Sequence, residues 1–280
     1  MLSNTKCLVT GASSGIGLAI CQVLTKHGAS VVGTGRNSAA LSQLKSEGHI
    51  VDFVVADISS SSLIDNNPPC KYTVDVATRI LGGLTAVVNA AGVLQAGAAD
   101  AVTVDNYDYN MNTNARASFE IMTHAIRYLK EAAASVTSSE KEADAKSSNI
   151  VSPSIVNISS VNGKQSFPGC ISYCMSKAAV DMMTRCASVD LAKYGIRVNS
   201  VNPGMVVTNL QKRGGISDTQ YEAFLQRSIE VTHPLASYLG RCGTPEEVGE
   251  LVAFLISDKA QFITGECIAM DGGRQNLGAR

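Results

Sequence analysis

The sequence has almost no excess of charge of either sign. Of its 280 residues, 23 are lysine or arginine and 24 are aspartate or glutamate, so the formal net charge is -1. A protein that neutralises many phosphates needs a wide positive field. We therefore expect neither a nucleic-acid partner nor a membrane partner, although a local basic site is compatible with this balance.

The sequence also lacks the cysteine spacings of metal sites and the pattern of a secretory leader. Its eight cysteines include no CxxC pair and no zinc-ribbon spacing, so we expect reduced thiols, no bound metal and a cytoplasmic protein. Residues 80–99 carry no charge over the length of a membrane span, but glycines, Asn89 and Gln95 interrupt them. We interpret this stretch as a strand followed by a loop.

Apolar side chains are abundant and follow an alternating pattern. They make up 45% of the residues against 17% charged, which excludes a disordered chain. Short β-branched runs near 7–10, 30–34, 50–56, 85–89, 154–158, 197–201 and 267–270 alternate with amphipathic stretches near 15–28, 38–47, 71–82, 105–131, 172–194 and 245–257. This alternation predicts a doubly wound α/β fold, with a mostly parallel seven-stranded sheet and helices on both faces.

Two polar segments interrupt the alternation. Residues 132–154 are rich in serine and poor in large apolar side chains, which predicts a surface insertion. Residues 59–69 have the composition of a loop before a helix. The length suggests nearly two domains at roughly 150 residues each, but one domain with such additions also fits.

A glycine-rich turn follows the first predicted strand. Gly11, Gly15 and Gly17 have the spacing G-x-x-x-G-x-G and open a helix. This arrangement can set backbone N–H groups and a helix N-terminus against a diphosphate. A tight turn without a ligand is the alternative, because such a turn can need the same glycines.

The second strand ends without an acidic residue. Dinucleotide folds often have an acid there for the adenosine ribose, whereas this chain has Gly35 and Arg36. A guanidinium suits a 2′-phosphate, so NADP(H) is favoured over NAD(H), unless Arg36 is only a solvated surface residue. Asp57, after the third strand, could contact the adenine amino group or cap its own loop.

A tyrosine and a lysine lie one turn apart on a predicted helix. Tyr173 and Lys177 are separated by four residues, so their side chains share a face. A nearby cation favours the phenolate, which would make this tyrosine a general acid or base. The alternative is a surface pair, but Ser160 ends the fifth strand at the sheet edge where ligands bind.

Six motifs stand together in the order typical of one family. They are TGASSGIG at 10–17, NAAG at 89–92, NISS at 157–160, YCMSK at 173–177, RVNSVNPG at 197–204 and DGG at 271–273. With them the sequence resembles the short-chain dehydrogenase/reductase family over residues 5–275. The resemblance implies one Rossmann domain over residues 1–280. The end of the chain is also similar to the 3-oxoacyl-carrier-protein reductase branch.

The resemblance implies a catalytic tetrad. Tyr173 would donate or accept the proton, Lys177 would lower its pKa and hold the nicotinamide ribose, and Ser160 would hydrogen-bond the reacting oxygen. Asn114 matches the asparagine that holds a water of the proton relay, with Asn112 as its rival.

The same resemblance implies the cofactor contacts. It assigns Gly11, Ser13, Ser14, Ile16 and Gly17 to the diphosphate turn and Asn89 to the adenosine half. Pro203, Gly204, Val206 and Thr208 match the segment that meets the carboxamide. Arg36, Asp57, Tyr173 and Lys177 complete the predicted set.

The resemblance implies an NADP(H)-dependent oxidoreductase that reduces a carbonyl or oxidises a secondary alcohol of a small molecule. A dinucleotide-binding sensor or scaffold without turnover is the alternative, because a fold does not determine a function. A sugar-nucleotide epimerase would need a larger C-terminal domain. The substrate stays open among acyl thioesters, steroids, sugars, polyols and other carbonyls.

Two regions beyond the tetrad carry further expectations. Residues 205–242 are expected to form a helical lid with a hinge at Gly214 and Gly215, and with Tyr221, Phe224 and Leu225 lining a pocket or packing the lid. The family also implies a homotetramer or homodimer that meets through the long helices near 105–131 and 172–194. Val180, Met183 and Leu191 could serve that contact or the core.

Overall fold

Seven parallel strands form one sheet in the computed structural model, which describes residues 2–140 and 152–277. They are β1 (Lys6–Thr10), β2 (Ser30–Gly35), β3 (Asp52–Val55), β4 (Ala86–Asn89), β5 (Ser154–Ile158), β6 (Arg197–Pro203) and β7 (Cys267–Met270). Their order across the sheet is β3-β2-β1-β4-β5-β6-β7, and every neighbouring pair is parallel. The predicted doubly wound α/β fold is confirmed.

The strand order reverses between β1 and β4. From β1 the chain first adds strands on one side, through β2 and β3, and then crosses over to build β4 to β7 on the other. Parallel strands end at the same sheet edge, so the loops after β1, β4, β5 and β6 meet there. This reversal is where open α/β sheets bind ligands.

Ten helices accompany the sheet in the described residues. They are α1 (Gly15–Lys26), α2 (Ser38–Ser46), α3 (Pro69–Leu81), α4 (Val104–Asn110), α5 (Ala117–Glu140), α6 (Ile171–Ala192), α7 (Leu210–Arg213), α8 (Asp218–Arg227), α9 (Pro234–Leu239) and α10 (Pro245–Ile256). Short π-helical turns cover Met111–Arg116 and Ser228–Thr232. No helix of residues 2–140 and 152–277 has the length and apolar character needed to cross a membrane.

Apolar side chains alternate between the two faces of the sheet. In β1, Cys7 and Val9 enter the core cluster that also contains α1 and α10 residues, while Leu8 enters the cluster with residues of α3 and α5. Neighbouring side chains of a strand point to opposite faces. Both faces are therefore covered, which explains why β4, β5 and β6 are buried at every position.

Helix α5 is longer than the sequence predicts. We expected a surface insertion over residues 132–154, but the helix continues to Glu140 and β5 begins at Ser154. The first residues beyond 131 are three alanines, which have the strongest intrinsic helix propensity. The helix end predicted near residue 131 is therefore wrong, the surface insertion stays a prediction, and residues 141–151 lie outside the described residues.

The segment expected to form a lid is helical. Helices α7, α8 and α9 lie within residues 205–242, as predicted. They share a small apolar cluster of their own, formed by Met205, Tyr221 and Cys242 with Ile216, Phe224, Leu225 and Ile229. This cluster is separate from the two clusters on the sheet.

Candidate active site

A cavity of about 980 Å³ opens at the carboxyl edge of the sheet. Its walls come from the loops after β1, β4, β5 and β6 and from the lid segment. The volume is at the upper end of the range for small-molecule sites. All the predicted site residues border it except Asn89 and Asn114.

The glycine-rich turn leaves no space for side chains. A Cβ on Gly11, whose φ is +68°, would lie 2.7 Å from Ala91 Cα, and a Cβ on Gly17 would lie 2.3 Å from the Gly11 carbonyl oxygen. Ser14 is the N-cap of α1, so the first N–H groups of this helix open on the cavity. A backbone cradle at a helix N-terminus fits the diphosphate of a dinucleotide.

Arg36 and Asp57 face each other at the same end of the cavity. Arg36 Nη1 is 3.8 Å from Asp57 Oδ2, and both side chains are well exposed. Asp57 Oδ1 accepts hydrogen bonds from the Ser59 backbone N–H (3.0 Å) and hydroxyl (2.6 Å). Asp57 therefore caps its own loop while it also borders the cavity.

Asn89 lies inside the sheet rather than on the cavity wall. Its side-chain amide donates to Asn157 Oδ1 (2.9 Å), and Asn157 in turn donates to the Thr184 hydroxyl (2.9 Å). The expected contact with the adenosine half stays a prediction, although the Asn89 side chain itself does not border the cavity. The reason is register, because Asn89 stands opposite Asn157 in the pairing of β4 with β5 and both are buried.

Tyr173, Lys177 and Ser160 come together in a buried part of the cavity. None is more than 8% exposed. Lys177 Nζ is 5.7 Å from the centre of the Tyr173 ring and donates to the Ile158 carbonyl oxygen at 2.9 Å. Ser160 follows β5, and its hydroxyl accepts from the Asn162 N–H at 3.1 Å.

Burial shifts the two ionisable groups in opposite directions. It raises the pKa of Tyr173 to about 12, against a lowering by the Ser160 hydroxyl. It lowers the pKa of Lys177 to about 8, against a rise caused by Asp181. Burial is the largest influence on the pKa of Tyr173, because removal from water disfavours the phenolate, and the lowering of this pKa by Lys177 stays a prediction. At neutral pH the phenol keeps its proton and most of the amine is charged.

Asn114 connects the loop after β4 to α6. It lies in the π-helical turn, and its amide nitrogen donates to the Val93 carbonyl and to the Ser176 hydroxyl, both at 2.9 Å. Its Oδ1 accepts from the Val93 N–H at 2.8 Å. Asn112 is half-exposed, so the geometry favours Asn114 of the two rivals.

Comparison with known proteins agrees with this geometry. Residues 11–275 match the family model described as Enoyl-(Acyl carrier protein) reductase. The chain is 32% identical over 280 residues to 2-(S)-hydroxypropyl-CoM dehydrogenase 3 of Xanthobacter autotrophicus, covering 97% of each chain. It is 31% identical over 273 residues to the 3-oxoacyl-(acyl-carrier-protein) reductase FabG of Rickettsia felis, again covering 97% of each. The chain belongs to the short-chain dehydrogenase/reductase family.

A solved structure supports the same assignment. A crystal structure described as a short-chain alcohol dehydrogenase from Sinorhizobium meliloti aligns with a TM-score of 0.81 at 27% identity, over 99% of this chain and 98% of that one. This short-chain dehydrogenase/reductase is therefore an oxidoreductase of alcohol or carbonyl groups. The glycine cradle fits the nicotinamide dinucleotide that the family uses.

A buried carboxylate lies close to the predicted catalytic residues and was missed by the sequence analysis. Asp181 accepts two hydrogen bonds from Asn202 Nδ2 (3.0 and 2.9 Å), and Asn202 also donates to the Ser160 carbonyl oxygen (2.9 Å). A Cβ on Gly163 would lie 2.7 Å from Asp181 Oδ2, so the surroundings are close-packed. The available signal was spacing, because residue 181 is four positions after Lys177.

His233 holds the predicted carboxamide segment and was also missed. Its Nε2 accepts from the Met205 N–H at 2.9 Å, and burial lowers its pKa, which keeps the imidazole neutral. A Cβ on Gly204 would lie 2.8 Å from the same nitrogen. The lid contributes a further contact, from the Tyr221 hydroxyl to the Thr208 carbonyl oxygen at 3.0 Å.

The lid of this family member also reaches the diphosphate turn. Arg213 Nη1 donates to the Ser14 hydroxyl at 3.1 Å. A Cβ on Gly214 would lie 2.8 Å from the Leu94 carbonyl oxygen, and Gly215 has a φ of +103°. Both glycines are thus required by local geometry, while a hinge at this point stays a prediction. Tyr221 and Phe224 line the cavity, whereas Leu225 packs within the lid.

Replacement of Asp181 tests its support of Lys177. In Asp181→Asn we expect the pKa of Lys177 to fall below about 8, by about one unit, because the carboxylate that opposes the effect of burial is gone. NMR titration of protein with ¹³C-labelled lysine measures this pKa. The exposed Asp190 on the same helix supplies the control Asp190→Asn, which should leave it unchanged. An equal pKa of Lys177 in Asp181→Asn and wild type would contradict the conclusion that Asp181 supports the charge of Lys177.

Proposed function

We propose that the protein is an NADP(H)-dependent oxidoreductase that reduces the carbonyl of a small molecule, or oxidises the corresponding alcohol, with Tyr173 as the proton donor or acceptor. The observation that carries the proposal is the convergence of Ser160, Tyr173 and Lys177 on the cavity whose other end is the glycine cradle. A hydride path and a proton path can thus meet at one carbonyl group.

A nicotinamide dinucleotide, when bound along the glycine cradle, would supply the hydride for the carbonyl carbon. The Ser160 hydroxyl donates a hydrogen bond to the carbonyl oxygen, where negative charge develops. Tyr173 transfers its phenolic proton to that oxygen and becomes a phenolate, which completes the alcohol. Because its pKa is about 12, the phenol is fully protonated beforehand, as reduction requires. Oxidation of an alcohol reverses both transfers.

Lys177 and Asn114 complete the proposed proton path. The Lys177 ammonium is close enough to stabilise the phenolate that forms on Tyr173, and Ile158 fixes its position through the carbonyl oxygen. Lys177 Nζ and Asn114 Oδ1 lie 3.5 and 3.4 Å from the point that a Cβ on Gly92 would occupy. We propose that a water held near Asn114 returns the proton.

Arg36 supports the choice of NADP(H) over NAD(H). Its guanidinium lies at the cavity end formed by β2, and β2 itself ends without the acidic residue that often holds a ribose hydroxyl. Arg36 Nη1 is 3.8 Å from Asp57 Oδ2, which is longer than a hydrogen bond. The exposed guanidinium can therefore rotate to contact a 2′-phosphate instead. NAD(H) is the second choice.

The subunit contact is proposed to involve α5 and α6. Val180 and Leu191 are buried and Met183 packs against the core, so these three residues serve the monomer. Other apolar side chains on these helices are exposed, namely Phe119 (53%), Met182 (54%) and Val189 (76%). Large exposed apolar groups favour an interface. We propose a homodimer or homotetramer.

Replacement of the tyrosine tests the mechanism. Tyr173→Phe removes only the hydroxyl, so we expect kcat for carbonyl reduction to fall by at least about 100-fold, the lower range for loss of a general acid. NADPH binding, measured by fluorescence of the reduced nicotinamide, should change little. Turnover on a panel of ketones and aldehydes measures the loss, with Tyr194→Phe as an exposed tyrosine control. Undiminished turnover in Tyr173→Phe would contradict the mechanism.

Replacement of Arg36 tests the cofactor preference. In Arg36→Leu we expect KM for NADPH to rise by about 10- to 100-fold, because a hydrogen-bonded charge is worth about 1.5–3 kcal/mol, while KM for NADH stays similar. Steady-state kinetics with both dinucleotides measures the ratio. Arg79→Leu, at the end of α3, is the control and should keep the wild-type ratio. A wild-type preference for NADH would refute the proposal.

Introducing charge on the proposed interface tests the assembly. The double variant Met182→Lys/Val189→Glu should have a smaller particle mass in size-exclusion chromatography with light scattering, because the interface would have to bury both charges. Leu63→Lys, which changes an exposed apolar residue of the 59–69 loop, is the control. A monomeric wild type, or an unchanged mass in the double variant, would contradict the proposed contact.

A further inference from the structure

The cations that border the cavity differ in their contacts. Four of them have polar partners within the protein: Arg36 with Asp57, Lys177 with the Ile158 carbonyl, Lys212 with Asp218 and Arg213 with Ser14. The fifth is Arg274. Within residues 2–140 and 152–277 its guanidinium has no carboxylate within 4.0 Å and makes no side-chain hydrogen bond.

The carboxylate near Arg274 is already engaged. Asp271 Oδ1 accepts from the Gly273 N–H at 2.9 Å, and its Oδ2 accepts from the Gln275 N–H at 2.7 Å. Its two oxygens thus form the turn that carries Arg274 rather than an ion pair. Burial lowers the pKa of Arg274, although Asp271 opposes this effect. A half-buried cation without a bonded anion is unfavourable.

Arg274 lies at the tyrosine end of the cavity. Its guanidinium is 5.3 Å from the centre of the Phe167 ring, and Phe167 stacks edge-on with Phe224 of the lid at 6.3 Å. The charge of Arg274 also opposes the burial-driven rise in the pKa of Cys174, the residue next to Tyr173. The glycine-rich turn predicted to bind the diphosphate lies at the other end of the cavity, after β1.

The backbone around Arg274 is held in place. Residues Arg274–Asn276 form a 3-10 turn, and the Gln165 side-chain amide donates to the Gln275 carbonyl oxygen at 2.9 Å. This bond joins the turn to the loop between Ser160 and Tyr173. The guanidinium is therefore presented to the cavity by a fixed turn, with an aromatic ring on one side.

We propose that Arg274 binds a carboxylate or sulfonate group of the substrate, so that the substrate is a small oxo acid or hydroxy acid. The inference rests on the proposed function, because it concerns the substrate of the same site. A single cation to which no anion is bonded among the described residues matches a single negative charge, and a guanidinium holds such a group through two parallel hydrogen bonds. Phe167 and Phe224 form apolar walls for the carbon chain between that group and the reacting carbon.

Matched acids and esters test the proposal. Oxo carboxylic acids of graded chain length and their methyl esters are assayed with NADPH and NADH. We expect wild type to favour at least one acid over its ester by about tenfold or more in kcat/KM. In Arg274→Gln the KM for that acid should rise by about 10- to 100-fold, while the ester changes by less than about threefold. Arg274→Lys should keep part of the preference.

The control variant carries the same arginine-to-glutamine substitution at a site remote from the cavity. Arg127 is exposed on α5 and forms an ion pair with Asp75, so Arg127→Gln should retain the full acid preference. Raising the ionic strength should raise KM for the acid but not for the ester, because salt screens the attraction to a partly exposed cation. Calorimetric binding of the acid to enzyme saturated with the oxidised dinucleotide measures recognition without turnover.

The outcomes separate this inference from the proposed function. Equal kcat/KM for acids and esters in wild type, or equal losses for both in Arg274→Gln, would overturn the role of Arg274 while turnover upholds the oxidoreductase. If neither acids nor esters are reduced, the proposed reaction is contradicted. Calorimetric binding of the acid that is lost in Arg274→Gln would still support the anion site in that case. A change of particle mass in Arg274→Gln without a change of selectivity would assign Arg274 to a subunit contact, and would also overturn the proposal.

Discussion

The whole site depends on a lysine that keeps its charge away from water. A charged lysine with only 4% of its residue surface exposed is costly unless other groups replace the lost hydration. Lys177 has two such groups, the Ile158 carbonyl oxygen at 2.9 Å and the negative field of Asp181 one turn further along α6. They come from the end of β5 and from the helix itself, so the charge is compensated only when the sheet and the helix are in place.

The hydrogen bonds of Asp181 extend this dependence to the other reacting groups. Through Asn202 the carboxylate is connected to the Ser160 carbonyl, so the ends of β5 and β6 are held at fixed positions below Tyr173. Asn114 holds the loop after β4 through the Val93 carbonyl, and His233 holds the chain after β6 through the Met205 N–H. Three loops at one sheet edge, after β4, β5 and β6, are thus held by buried polar groups, each of which has a specific partner. Such networks hold a reacting geometry that apolar packing alone would leave loose.

The cavity differs in chemistry from end to end. Around the glycine turn the wall includes the N-terminus of α1 and the backbone of Gly11 and Gly17, where a Cβ has no room, which suits a large anionic ligand. At the tyrosine end the wall consists of Phe167, Phe224 and Arg274, from three segments distant in sequence. The lid connects the two ends, because Arg213 reaches Ser14 while Phe224 meets Phe167.

The sequence by itself determined the architecture and most of the site. Alternating apolar runs predicted every strand, and the motifs around Gly11, Ser160 and Tyr173 follow strands whose ends must meet in a parallel sheet. These features are local patterns, so a single chain reveals them. Only the tertiary structure decided that Asn89 points into the sheet, that Asp181 and His233 support the site, and that burial dominates the pKa of Tyr173. Each of these depends on contacts between residues far apart in sequence and on the exclusion of water, which no local pattern records.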